Sequence, residues 1–140
     1  MKRSTILFAV SLFLLFSFQI LSQETAKTNS SSLEACYKTL QQGLKSDNLG
    51  LKAGCAYMAG ELCCQRSVIN LLAILHNAPS EELRILAALS LYKIGDARGI
   101  YAIKRAVKYD KSKRVQRMCE IFYKASLQKS TNNVINVAVN

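Results

Sequence analysis

Tryptophan is absent from this chain, proline occurs once, at Pro79, and histidine once, at His76. One histidine leaves no histidine pair and no two-histidine metal site. Set at the end of a helical pattern, His76 fits a cap or a surface position better than a triad member. Acids are scarce, nine against nineteen Lys and Arg. Glu81 and Glu82 are neighbours that point in different directions, so no carboxylate pair at helical spacing is available for acid–base chemistry. Six glycines are scattered along the chain, with no glycine-rich phosphate loop. No cofactor site follows from any motif, and an enzyme is not expected. Beyond the first two dozen residues no apolar run approaches 18 residues without a charge, which excludes a transmembrane helix from the rest of the chain.

What is present starts with a distinct leader. Lys2 and Arg3 precede a stretch from Ile6 to Leu21 that is apolar except for Ser11, Ser17 and Gln19, and no acid appears before Glu24. A basic start, an apolar stretch and a small residue before a polar segment make a secretory signal, with Ser22 just ahead of the cut. Sixteen helical residues span about 24 Å, short of the roughly 30 Å hydrocarbon core, so cleavage is expected rather than anchoring. No cysteine follows the apolar run closely enough for a lipid-modified N-terminus. The organisation expected is a signal peptide over 1–22, a linker over 23–32, one helical domain over 33–128 and a tail over 129–140. The address is secreted or periplasmic.

Charge is uneven along the remainder. From Gln23 to Ala97 seven basic residues balance seven acids, whereas Arg98 to Lys129 carries ten basic residues against Asp110 and Glu120, a net of +8. Such asymmetry suggests an anionic partner for the basic part or a solvated face. Export makes nucleic acid a poor candidate. Five cysteines follow the leader, at 36, 55, 63, 64 and 119. An odd number cannot all pair within one molecule, so they form no small disulfide framework.

Offsetting the sequence by 32 residues against itself brings two segments into register. Leu51 falls on Leu83, Lys52 on Arg84, Ala56 on Ala88 and Leu62 on Ile94, and then Val68 on Ile100, Leu71 on Ile103 and Leu75 on Val107. A third copy begins as Leu83 falls on Val115 and Leu89 on Ile121, and then frays. Upstream, a half-copy places Tyr37, Leu40 and Leu44 on Val68, Leu71 and Leu75. Each copy has the pattern of two helices. Ser80 is an N-cap followed by Glu81 and Glu82 in the first turn, where the helix dipole favours negative charge. Leu83, Leu86, Ala87, Ser90, Leu91 and Ile94 form an i, i+3, i+4 stripe that stops at Gly95, a C′ residue. Asp96 caps the next helix, whose inner stripe is Ile100, Ile103 and Val107. Pro79 lies between copies, where it ends one hairpin and starts the next. No β-period precedes the tail, in which Val134 to Val139, apolar and broken by Asn, suggests a loose strand or disorder.

The run Glu81-Glu82-Leu83-Arg84-Ile85-Leu86-Ala87-Ala88-Leu89-Ser90-Leu91-Tyr92-Lys93-Ile94-Gly95-Asp96-Ala97-Arg98-Gly99-Ile100 resembles a HEAT-like repeat of the short bacterial, phycobilin-lyase-like type. The likeness lies in the Leu-Arg pair, the small Ala87 and Ala88, the Ile-Gly-Asp turn and the following Arg. It extends over roughly residues 33 to 127. In the earlier copy Cys63-Cys64 replaces Gly-Asp, which puts that turn's geometry in question. The resemblance implies an all-α fold, a short α-solenoid of about three helical hairpins, and a scaffold or regulator as readily as a lyase. Tetratricopeptide and ankyrin signatures are missing.

In such repeats the second helices line one side. Their outward positions are Lys38, Gln41, Gln42 and Lys45, then Ile69, Leu72, Ala73 and His76, then Tyr101, Lys104, Arg105 and Lys108. The face should run from polar through apolar to basic and aromatic, the appearance of a protein-binding site, unless neighbouring helices cover Ile69 and Leu72. Leu72 and Tyr101 would anchor a protein partner, and Lys104, Arg105 and Lys108 would steer it. The alternative partner is an anionic polymer or lipid surface held by residues 98–129, and self-association also stays open. Cys55 and Cys119 fall on the small inward position of Ala87 and should be buried there as apolar residues, with Cys36 similar. Cys63 and Cys64, in a turn, suit a vicinal disulfide, a bridge to Cys36 or Cys55, or a soft metal.

Overall fold

A computed structural model describes residues 33–138, with side chains through residue 132. The leader and linker expected over 1–32 lie outside the described residues. The chain divides into two units, residues 1–36 and 37–140, and of the first only the opening turn of a helix is described. That helix, α1, covers 33–45. It is followed by α2 (Leu49–Glu61), α3 (Val68–Asn77), α4 (Glu81–Ile94), α5 (Ala97–Tyr109) and α6 (Lys113–Ala138), and a 3-10 turn, Gln65–Ser67, leads into α3. No strand occurs among the described residues.

The caps sit where side-chain chemistry demands them. Asn48, Ser80 and Asp96 lie in extended backbone, and each accepts a hydrogen bond from an otherwise orphaned N–H, of Leu51, Leu83 and Arg98 respectively. Gly95 ends α4 in the left-handed region, φ 73°. One repeat earlier the same position is Cys63, which takes φ 47°. The left-handed residue is kept without its glycine, at a cost of roughly 1–2 kcal/mol for a residue bearing a Cβ. The turn closes differently, with the Cys63 N–H donating to the Gly60 carbonyl where the Gly95 N–H donates to that of Leu91.

From α3 onward, short loops make consecutive helices antiparallel neighbours. Alternate helices form two layers, with α2, α4 and α6 side by side in one and α3 and α5 in the other. The molecule is a short all-α solenoid. Among helices consecutive in the chain, the most extensive pairings, α3 with α4 and α5 with α6, run across the loops at 78–80 and 110–112. The sequence repeat places those loops between copies, so the packed hairpin is displaced from the copied unit by one helix.

The interior is built from Leu71, Leu75, Leu91, Ile103, Val68 and Val115, all fully buried. Where α2, α4 and α6 cross, the contacts are small: Ala56, Ala59, Ala87 and Ala88 have no exposure, and Cys55 and Cys119 are buried as expected at the positions equivalent to Ala87. Ser90 Oγ donates to the Ala56 carbonyl of α2 at 2.7 Å. A Cβ on Gly60 would lie 2.9 Å from Ser90 Cα, so only glycine lets α2 and α4 approach this closely. On α5 the buried stripe is Gly99, Ala102, Ile103 and Ala106, while Ile100 and Val107, expected inside, are half-buried. The helix is rolled toward its small residues because these allow closer approach to Leu91.

The repeat period reappears as lateral contact. Glu61 pairs with Lys93 and Glu82 with Arg114, each 32 residues apart. The deepest polar group is Arg84, 2% exposed, whose Nε and NH2 donate to the two Asp110 oxygens at 2.9 and 3.1 Å. Its NH1 donates to the carbonyls of Ala78 and Pro79 at 2.9 and 3.1 Å. Asp110 Oδ1 also accepts the Ser112 N–H, so one guanidinium ties the α3–α4 loop to the α5–α6 loop. The equivalent residues are Lys52 and Gln116. Gln116 Nε2 donates to the Asp110 carbonyl six residues back, copying the bond from Arg84 to Ala78.

Two expectations are corrected. Residues 129–138 continue α6 as helix rather than forming a loose strand or disorder. Once a helix is nucleated, extension adds a backbone bond per residue, and the apolar residues broken by Asn do not stop it. Cys36 is exposed, not packed as a small core residue. It stands before the inward positions, of which Leu40 and Leu44 are the buried ones.

Removing one member of a buried ion pair strands the other. Arg84→Met is therefore expected to lower unfolding free energy by about 3–5 kcal/mol in urea titration, and Arg84→Lys to recover less than half of it, since an ammonium cannot reproduce the fork. A loss under about 1 kcal/mol would contradict the buried clamp.

Candidate functional site

The outer surface of the α3/α5 layer follows from what the core leaves over. α3 has ten residues, of which Val68, Leu71, Ile74 and Leu75 are buried. Its outward side carries Ile69, 60% exposed, with Ala73 and His76 exposed and Leu72 half-buried against the core. α5 presents Tyr101 at 63% exposure together with exposed Lys104, Arg105 and Lys108.

Between these helices lies a shallow hollow of about 490 Å³ lined by Leu72, His76, Ala97, Arg98, Tyr101, Ala102 and Arg105. Four of the residues expected from helical spacing, Leu72, His76, Tyr101 and Arg105, thus meet on one surface. None of the described residues lining it is acidic. A second hollow of about 320 Å³ adjoins it and shares His76 and Arg105. Its other walls are Leu75, Ala106, Tyr109 and Lys111, with Arg84 and Asp110 at its base. The two form one groove along α5.

Ile69 is exposed but does not line the groove. Neither do Lys104, whose ammonium lies 5.7 Å from the Tyr123 ring of α6, and Lys108. Of the three basic residues expected to steer a partner, only Arg105 belongs to the groove. The wall residues not anticipated are Arg98, Ala97, Ala102, Leu75, Ala106, Tyr109 and Lys111. Arg98 precedes Tyr101 by three residues and Arg105 by seven, so the same helical spacing carried its signal.

The cations of the groove differ in their freedom. Arg98 is bound to Asp96, Nε to Oδ1 and NH2 to Oδ2, both at 3.0 Å. That bond holds the Asp96 carboxyl below its ordinary range and raises Arg98 above its own. Arg105 makes no ion pair among the described residues, and its guanidinium lies 5.9 Å from the Tyr109 ring centre. Such a cation is held in place with its donors left open, the condition for meeting an anion.

The cysteines are separate from this face. All five are free thiols, with Cys36 and Cys63 exposed and Cys55, Cys64 and Cys119 buried. Cys63 Sγ lies 3.7 Å from the Lys93 carbonyl, whereas Cys64 Sγ accepts from Ser67 Oγ at 3.2 Å, so the adjacent side chains serve different surroundings. Neither is bridged to the other, to Cys36 or to Cys55. No cluster of three or more metal-binding side chains occurs among the described residues, and none of their helices is long and apolar enough to cross a membrane.

A scan against protein-family models finds no match to this chain, and a search of curated proteins finds none either. The functional reading rests on the residues and their geometry.

Burial pushes the Cys119 thiol up to about 12, with Asp110 adding to the shift and Arg84 opposing it. At pH 8 a thiol reagent is expected to label Cys36 and Cys63 quickly and the other three only on unfolding. Mass spectrometry after brief labelling checks this, and rapid modification of Cys119 in the folded protein would contradict the packing of α6.

Proposed function

We propose that this chain is an exported HEAT-like interaction module that holds a protein partner on its α3/α5 face. The observation that carries the reading is the groove itself, where Leu72 and Tyr101 offer apolar area within a basic rim and the one acid lining the two hollows, Asp110, is already held by Arg84. Tyr and Arg are the residue types that dominate binding energy at protein interfaces, and here they stand on a rigid helix rather than on a loop. The leader of Lys2, Arg3 and the apolar stretch Ile6 to Leu21 supports export.

The rival reading, an electrostatic adaptor for anionic polymers or lipid surfaces, needs free positive charge over residues 98–129. Three of the ten basic residues there are engaged by acids: Arg98 with Asp96, Arg114 with Glu82, Lys124 with Glu120. Surface pairs of this kind contribute little to stability, yet they remove charge from what a polyanion would feel.

Tyr101→Glu with Ala97→Glu removes an apolar anchor and places two acids in the groove through exposed positions, leaving the core untouched. Chain beginning at Gln23 is immobilised and challenged with an extracytoplasmic extract of the source cells. The wild type is expected to retain discrete protein chains at salt near 0.5 M, where the Debye length is only about 4–5 Å, and the double variant to retain at least tenfold less. Native material from the same extract should begin near Gln23 by mass. Equal retention by the variant would overturn the docking reading, and retention that vanishes with modest salt would overturn it in favour of the electrostatic one.

A further inference from the structure

We infer that the groove takes an extended peptide segment with an apolar, an acidic and an apolar residue at alternate positions. This inference rests on the protein-docking reading and specifies the partner's chemistry.

The spacing comes from α5. Tyr101, Arg105 and Tyr109 succeed one another at four-residue intervals, so they share a helix face and rise about 6 Å per step. In an extended strand, residues i, i+2 and i+4 share a face at about 6.6–6.8 Å per step. The two periods match closely over three positions. Tyr101, with Leu72 and Ala102, walls one hollow, and Tyr109, with Leu75 and Ala106, walls the next. Arg105 and His76 line both hollows and so stand between them. An apolar side chain in each hollow places the intervening same-face residue against Arg105, and the open donors of that guanidinium call for a carboxylate.

The length of the groove suits an extended chain. From Arg98 to Lys111 the groove is about 20 Å long, which six or seven extended residues cover. Arg98 and Lys111 lie at the two ends, where flanking carboxylates would extend the match.

A second copy of this chain is a poor occupant. Glu61, Glu82, Asp96, Asp110 and Glu120 are each already held by a basic neighbour, so the helical part has few free acids to offer.

The probe is a fluorescein-labelled heptapeptide with leucine second and sixth, glutamate fourth, aspartate at both ends and serine elsewhere. Fluorescence polarisation is read against a scrambled peptide of the same composition. The ordered peptide is expected to bind about tenfold tighter than the scramble, Arg105→Glu to abolish that preference, and Tyr101→Ala and Tyr109→Ala each to weaken binding severalfold. Equal affinity for ordered and scrambled peptides, indifference to Arg105→Glu, or no binding up to millimolar peptide would each overturn the inference. Retention of an extract protein that survives Arg105→Glu but not the Tyr101 and Ala97 double variant would remove the peptide pattern and leave protein docking standing. Retention indifferent to every groove variant would remove both.

Discussion

A guanidinium with almost no exposure to water holds this molecule together. Arg84 lies at the start of α4, the helix that packs against α2, α3, α5 and α6. Its donors close on the carbonyls that follow α3 and on the carboxylate that follows α5. Burying a charge is costly unless geometry and hydrogen bonding are complete, and here they are, since no buried side-chain polar atom among the described residues lacks a partner. The clamp acts on loops rather than on apolar area. Burial brings the helices together, and the guanidinium decides how α3 and α5 are placed along their lengths.

That constraint reaches the surface directly. The inner hollow of the groove has Arg84 and Asp110 at its base and Leu75, Ala106 and Tyr109 around it. The cation that fastens the two loops therefore underlies the floor on which a ligand would rest. The outer hollow depends on the other end of α5, where Asp96 caps the helix and holds Arg98 at the rim. Both ends of α5 are thus tied down by acid–base pairs. Between them stand Tyr101 and Arg105, both exposed, with Arg105 resting on the Tyr109 ring and in no ion pair among the described residues.

Local chemistry made much of this readable from residues alone. Ser80, Gly95 and Asp96 announce their helix ends because each satisfies backbone groups within three or four residues. The 32-residue offset exposes the copied helices and, unexpectedly, the lateral pairs Glu61–Lys93 and Glu82–Arg114. Leu72, His76, Tyr101 and Arg105 were recoverable as what the inner stripes omit. What escaped depends on distance. The Leu-Arg pair at 83–84 was noticeable, but its acid partner lies 26 residues away and no spacing names it. The roll of α5 toward Gly99, Ala102 and Ala106 comes from close approach to α4, and side-chain hydropathy favours the bulkier Ile100 and Val107 instead. Cys63 occupies a left-handed turn that only the alignment with Gly95 hints at.

Hydrogen exchange followed by mass spectrometry reads the clamp most directly, comparing the wild type with Arg84→Met under native conditions. If one side chain fixes both loops, exchange should accelerate together in the end of α3 through Pro79 and in the end of α5 through Gln116, while the middle of α2 keeps its protection. Acceleration confined to α4, or spread evenly over every helix, would contradict the claim that Arg84 sets the placement of α3 and α5.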